Sequence, residues 1–336
     1  MIMSLIGPPW IKSVLTFAVG VAVFAIVVGG LIAFVDFLRS LLERSPAGRA
    51  IIRVLESKLF RNALAHVALV LLSVLFVLPL AWMLSTSLKP IGETLTNPPR
   101  WIPSHFLWSN YPDAISFNSK ELGYIPLLVY ARNTIIVTIL AVGGSVLSNS
   151  IVAYSFARIK WPGRDLFFGV TLATMMVPFP VVMVPTFALF KWLGWVGTFK
   201  PLWVPAFFAS AFSIFLLRQF YRTIPMELSE AAKIDGCNEL RIFTDIIAPL
   251  SRPALMVVAL FTFMGSWNDF LGPLIYLVDQ NTFTLSLGLQ AYQSQHGGTP
   301  FNLLMAASCL VILPVVIVFF LAQKVFIQGI ATSGLK

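Results

Sequence analysis

The chain has 336 residues, 58% of them hydrophobic and 11% charged, with a mean hydropathy of +0.86. Soluble domains carry about 25% charged residues, so the composition excludes a soluble enzyme and describes an integral membrane protein built from apolar helices. The net charge of +9 and the pI near 9.8 then concern which side of a membrane holds the cations, and nucleic acid is not an expected partner.

The first apolar run, 14–35, has 22 residues, enough to span. Only Lys12 precedes it and no clean small-residue cleavage site follows, so it reads as a retained helix rather than a signal peptide. Residues 36–63 then carry six Lys and Arg, a basic segment expected in the cytoplasm. The second run, 64–84, opens a polar stretch of about 45 residues with Trp101, Trp108, Tyr111 and Tyr124, expected over the outer surface. The third run, 133–157, contains Ser145, Ser148 and Asn149 on one helical face, a pattern for close packing against other helices. A turn with Arg158, Lys160 and Arg164 follows.

The fourth run, 166–190, carries Pro178, Pro180 and Pro185, which break a regular helix. Broken backbone at membrane depth is tolerated only where buried in protein or lining a cavity. Two readings stand: a hydrophobic constriction in a pathway, made by Met175, Met176, Val177, Pro178, Phe179 and Met183, or a structural kink. Trp192 and Trp195 mark the outer interface. The fifth run, 202–220, leads to a charged stretch, and the sixth, 254–278, contains Trp267, Asn268 and Asp269. A carboxylate within a span faces the bundle interior or water, making these three candidates for the pathway; the alternative places Asp269 near the helix end, capping or pairing locally. The loop 279–300 has no Lys or Arg and ends in an exposed Gly- and Gln-rich string. The seventh run, 303–322, precedes the tail 324–336.

Lys and Arg divide fifteen to the expected inside and six to the expected outside, with Arg132 and Arg218 at helix ends. That bias predicts seven spans with the N-terminus outside and the C-terminus in the cytoplasm. Cys237 and Cys309 make no disulfide framework, and His66, His105 and His296 have no metal-ligand spacing. A phosphate-binding loop and the common hydrolase motifs are missing from the sequence, so no catalytic residue, metal or cofactor is expected on this chain.

Between Arg222 and Arg252 stand nine charged residues in 31. At roughly 2.5–3.5 kcal/mol each at a bilayer centre, they belong in water. Glu227 to Lys233 are mostly good helix formers, Gly236 suits a left-handed helix end, and Asn238 suits the N-cap of a second helix that Pro249 stops. Ala231 and Ala232 offer a face for close backbone approach, and Leu240, Phe243 and Ile247 form an apolar stripe. The pattern predicts a solvated helix-turn-helix, read either as a docking element or as a loop helix packed on its own protein.

Glu230-Ala231-Ala232, three residues, Gly236, nine residues, Ile246, one residue, and finally Pro249 resembles the E-A-A-x3-G-x9-I-x-L-P signature of permease subunits of ATP-binding-cassette (ABC) importers, with Ala248 in place of Leu. Lys233 to Gly236, the segment Phe263 to Leu274, the Pro178 to Pro185 stretch and the C-terminal Gly329 to Lys336 look like the carbohydrate-uptake group, most similar to the smaller membrane subunit of maltose-type importers. The resemblance covers 64–336 and implies a type I importer permease fold, a six-helix core to which 1–63 adds one transmembrane helix and a basic linker. It implies that Glu230, Ala231, Ala232, Lys233, Asp235, Gly236, Ile246 and Pro249 form the surface coupling to an ATPase, that Ser333, Gly334 and Lys336 reach between two ATPases, and that 279–300 meets an extracytoplasmic substrate-binding protein. The implied partners are a second permease, two ATPases that bind ATP and Mg, the binding protein and membrane lipid. A sugar or oligosaccharide is the implied solute. The alternatives are an importer of a polyamine or phosphate ester, an ion-driven secondary transporter, for which repeated halves and paired intramembrane charges are lacking, and a non-transporting scaffold, against which the charged stretch argues.

Overall fold

The structure, a computed structural model, describes residues 45, 46, 57–293 and 298–333. The expected span 14–35, most of the linker after it, and Gly334 and Lys336 lie outside the described residues. The chain divides into two units, Met1–Pro79 and Leu80–Lys336. Every regular element among the described residues is helical. Four helices are long and apolar enough to cross a membrane, or up to six when each of two bent pairs counts as one span. Six agrees with the spans expected over 64–336.

Helix α1 (Lys58–Ser87) begins in the first unit and ends in the second. After it Lys89 is fully buried, its ammonium 3.8 Å from the centre of the Trp82 ring and within 3.2 Å of Thr86 Oγ1. Burial pushes this lysine below its usual range. The short helix α2 (Asn110–Ile115) is fastened by Asn110, which donates to the carbonyls of Ser87 and Lys89 and accepts from Asn302 Nδ2. The polar stretch after α1 is therefore a folded cover whose buried amide satisfies freed backbone.

Helix α3 (Pro126–Arg158) is the spindle of the second unit. Pro126 is tolerated because a first-turn residue needs no intrahelical N–H bond. Its midpoint holds Gly144, where an added Cβ would stand 2.3 Å from the Phe207 ring, so only glycine admits that ring. The Pro126 end of α3 joins an apolar core of Leu127, Tyr130, Trp267, Leu285, Tyr292 and Ala306. Its Arg158 end joins a second core of Ala153, Tyr154, Phe156, Leu217, Tyr221 and Val258.

The fourth run is two helices, α4 (Arg164–Thr174) and α5 (Phe179–Trp192), bent by 97°. The break is confined to 175–178. Pro180 sits in the first turn of α5 and Pro185 lies inside the helix, so these two prolines do not break it as expected. The fifth run is not one continuous helix either. It begins as α6 (Lys200–Trp203), tightens to a 3-10 turn over Val204–Phe208, passes Ala209 at φ 63°, and restarts as α7 (Ala211–Thr223). Pro205 interrupts the ladder because it has no N–H to donate. The expected polar face of α3 satisfies the freed groups: Ser148 Oγ donates to Ala206 O at 3.0 Å, and Asn149 Oδ1 accepts from Ser210 N at 2.7 Å. Ser145 completes it, accepting from Asn149 Nδ2 and Thr262 Oγ1.

The charged stretch forms α8 (Glu227–Ile234) and α9 (Glu239–Ile242), the latter widening to a π-helical turn over Phe243–Ile247 and running on through Ala248–Leu250. Helix α10 (Arg252–Trp267) leaves it at 79°. The sixth run also breaks: Asn268 Nδ2 folds back onto Met264 O, and α11 (Leu271–Tyr276) follows. Residues 294–297, within the string expected to be exposed, lie outside the described residues, and the part of the loop before them is packed. Asn133 Nδ2 donates to the carbonyls of Asn281 and Phe283, Thr134 Oγ1 accepts from Leu285 N, and Leu285, Leu287 and Tyr292 are buried. Helix α12 (Phe301–Ser333) continues through most of the expected tail.

Candidate functional site

The helix-turn-helix at the Arg158 end of α3 draws its shape from local chemistry. Gly236 has φ +81°, Cys237 N donates to Ala232 O at 2.9 Å, and Gly236 N donates to Lys233 O at 3.1 Å. These two bonds satisfy the last carbonyls of α8 and form a Schellman closure, which fixes the four-residue spacing from Ala232 to a left-handed glycine. Asn238 then caps α9, its Oδ1 accepting from Arg241 N at 2.9 Å.

The element has an inner and an outer face, and the motif residues divide between them. Ala232 is buried at 5% exposure among Leu217, Tyr221, Ile242 and Ile247, so it packs inward and not on a docking surface as expected. Glu230, Ala231, Lys233, Asp235 and Gly236 are exposed, as are Leu228 and Ile234, the latter at 87%. The expected stripe shifts as well: Ile242 and Ile247 are fully buried, Phe243 and Ile246 are partly buried, and Leu240 is 69% exposed. The π turn adds a residue to the helical repeat and turns Ile242 inward in place of Leu240. Pro249 is exposed and does not stop the helix, which ends at Leu250. At the start of a new turn its missing N–H removes little.

Three residues that the motif does not contain tie this element to the bundle. Tyr154 on α3 donates its hydroxyl to Glu239 Oε2 at 2.6 Å, and Lys233 Nζ lies 2.6 Å from Glu239 Oε1. Glu239 therefore bridges α8 across the turn to α3. The Lys233 hydrogen bond first, and the Tyr154 hydroxyl second, hold its carboxyl below the usual carboxylate range. Arg158, 6% exposed at the end of α3, donates to Ile224 O at 2.7 Å and Pro225 O at 3.4 Å, gripping the link from α7 into α8. Arg158 was visible as a charge ending an apolar run. Tyr154 and Glu239 lie 85 residues apart, and no spacing rule pairs them.

The pathway candidates separate in the same way. Trp267 is 4% exposed, donates Nε1 to Val311 O, and accepts from Ser286 Oγ at its carbonyl, so it is anchored in the core, and it also borders an apolar cavity of about 560 Å³ with Thr138 and Phe263. Asn268 is exposed. Asp269 accepts from Gly272 N at 3.0 Å, the local pairing that was one of its two readings, and it also lines a cleft of about 280 Å³ with Thr262, Ser266 and Thr284. At the elbow between α4 and α5, Met176 is 85% and Phe179 52% exposed, while Met183 is half-buried; Pro178 lies in the break, immediately before α5. Ser333 is the last residue of α12.

Residues 149–332 match the family described as the binding-protein-dependent transport system inner membrane component. The chain is 34% identical over 275 residues to the diacetylchitobiose uptake system permease protein NgcG of Streptomyces coelicolor, covering 81% of this chain and 88% of that one. It is 34% identical to the arabinooligosaccharides transport system permease protein AraQ of Halalkalibacterium halodurans, covering 77% and 91%. It is 32% identical to the sn-glycerol-3-phosphate transport system permease protein UgpE of Pectobacterium atrosepticum, covering 83% and 99%. In fold it is similar to a chain of a bacterial ABC transporter that imports the acidic polysaccharide alginate, with a TM-score of 0.69 at 22% identity over 80% of this chain and 98% of that one. With its bent helices and its charged helix-turn-helix, the chain belongs to the family of binding-protein-dependent transport system inner membrane components, the multi-pass permease subunits of ABC importers.

Proposed function

We propose that this permease forms half of the translocation pathway for a sugar or oligosaccharide and is driven through α8 by a cytoplasmic ATPase. The observation that carries the reading is the outer face of α8, where Leu228, Glu230, Ala231, Ile234 and Asp235 stand exposed beside the Schellman turn. Apolar Ile234 at 87% exposure on a charged element is a docking anchor rather than a solvated helix face. Glu230 and Asp235 supply charge for pairing with cations on the ATPase.

In this reading the helix-turn-helix lies in the cytoplasm, the chain has seven spans with the N-terminus outside, and 1–63 is an accessory to the 64–336 permease domain. The chain performs no catalysis. ATP and Mg bind two partner ATPases, a second permease supplies the other half of the path, and a binding protein delivers solute at the 279–300 end. Ser333, Gly334 and Lys336 reach the ATPases. Ile246 and Pro249 support the coupling surface, and the cleft at Asp269 with the elbow of Met176, Pro178, Phe179 and Met183 borders the path. Tyr154, Glu239 and Arg158 pass motion of α8 to α3. The relatives named for diacetylchitobiose and arabinooligosaccharides favour a carbohydrate, and the relative named for sn-glycerol 3-phosphate favours a phosphate ester as the second reading.

The test is uptake of a labelled oligosaccharide in cells lacking the chromosomal copy. Gly236→Val forces a β-branched residue into left-handed backbone, at a cost of about 1–2 kcal/mol or more. Uptake is expected to disappear while the subunit remains in the membrane fraction. Normal uptake in that variant overturns the coupling role.

A further inference from the structure

A second surface at the Arg158 end of α3 shares Arg158 and Glu230 with the coupling element but carries more cations than coupling uses. Phe156, Arg158, Lys160, Arg164, Asp165, Arg218, Arg222 and Glu230 line a cleft of about 510 Å³ between the end of α3, the start of α4 and the end of α7. Five cations face two carboxylates there. Asp165 serves two of them, lying 3.3 Å from Arg164 Nε and 3.5 Å from Arg218 Nη2. Among the described residues the Arg158 guanidinium hydrogen-bonds only to carbonyls and the Met226 sulfur, and its buried Nε has no hydrogen-bond partner. Lys160 and Arg222 stand exposed at the rim. A concave site with excess guanidinium groups and an unsatisfied buried N–H matches a phosphate, which accepts several charge-assisted hydrogen bonds at once.

The surroundings say where that phosphate comes from. On α4, beside the cleft, Leu166 and Phe167 are 72% and 57% exposed, and the Trp161 ring packs against those of Phe156 and Phe167. Arg218 is stacked on Phe168, 3.9 Å from the ring centre. Cationic side chains beside exposed apolar side chains at the start of α4, part of a bent pair apolar enough to cross a membrane, match a phospholipid's headgroup next to its acyl chains.

We propose that this cleft binds the phosphate of an anionic phospholipid from the leaflet that faces α8, seating a lipid against the link between α7 and the coupling helix. Placing that leaflet in the cytoplasm rests on the orientation given above; the lipid site itself does not.

The experiment uses the assembled transporter with its partner subunits, delipidated in detergent and exchanged into nanodiscs of phosphatidylcholine containing a minor fraction of phosphatidylglycerol. Lipid retained on the complex is then counted by native mass spectrometry. Wild type is expected to retain phosphatidylglycerol in preference to phosphatidylcholine. The rim variant Lys160→Gln/Arg222→Gln is expected to weaken retention by about 10- to 30-fold, the contribution of two basic side chains at a membrane surface. Equal retention by wild type and variant overturns the site. Retention abolished by millimolar inorganic phosphate at constant lipid assigns the cleft to free phosphate and overturns the lipid. Loss of the ATPase from the variant with lipid unchanged assigns the cations to the protein partner and also overturns it. None of these readouts uses transport, so a failure here leaves the coupling role standing, and the reverse.

Discussion

Tyr154→Phe isolates one hydroxyl that joins the helix-turn-helix to α3. The phenylalanine ring keeps its packing on Phe243, 5.2 Å away, and loses only the 2.6 Å bond to Glu239. A hydrogen bond to a charged group contributes about 1.5–3 kcal/mol. The Glu239 side chain is 42% exposed, so water replaces part of that bond and a loss of about 1 kcal/mol is expected. The assay is thermal unfolding of the detergent-solubilised transporter in a double-mutant cycle with Glu239→Gln. The pair should couple by about 0.5 kcal/mol or more, and transporters assembled with either single variant should hydrolyse ATP without proportionate uptake. Glu239 has a depressed folded value, so its contribution is present above its unfolded value of about 4.3 and is lost as pH falls through the folded value. Removing the hydroxyl shrinks that depression, and the stability gap between wild type and Tyr154→Phe should close on acidification below about pH 4.3. Additive effects with unchanged coupling of ATP hydrolysis to uptake would refute the relay.

Other outcomes follow from the membrane bundle. Asn149→Leu leaves the Ser210 N–H, which donates to Asn149 at 2.7 Å, without its partner inside the helix break; destabilisation of about 1–3 kcal/mol is expected, read as a lower thermal midpoint. Gly144→Ala should destabilise through its clash with Phe207, and Phe207→Ala should relieve that loss in the double variant, both measured by the same unfolding assay. Asp269→Asn keeps the acceptor for Gly272 N, so folding should persist; reduced uptake at normal membrane levels would place the cleft on the path, and unchanged uptake would reduce Asp269 to a local pairing.

What could be read from the sequence was what is local. The turn at Gly236, the cap at Asn238 and the break before Pro178 each depend on backbone rules acting over a few residues, and each stands where the residue types placed it. The polar face of Ser145, Ser148 and Asn149 was legible from helical spacing, but its partner was not, because the break at Ala209 depends on how α3 meets the backbone freed by Pro205. The stripe of Leu240, Phe243 and Ile247 assumed a uniform helical repeat, and the π turn over Phe243–Ile247 moved Ile242 inward instead. The loop 279–300 was read from its missing Lys and Arg and its Gly- and Gln-rich end, and nothing local showed that Asn281, Phe283 and Leu285 are held by Asn133 and Thr134 about 150 residues earlier. For the candidate site, the motif marked the outer face of α8, and the struts behind it come from side chains distant in the chain.

The proposed coupling has the outer face of α8 covered by an ATPase. Ile234→Cys, in a chain with Cys237→Ser and Cys309→Ala, places one thiol at the most exposed apolar position of that face. Its rate of modification by a water-soluble maleimide, measured in the purified permease pair with and without the ATPase subunits, reads the contact directly. Strong protection when the ATPases are bound is the expected result. Equal rates, with the ATPases demonstrably bound, would contradict the account.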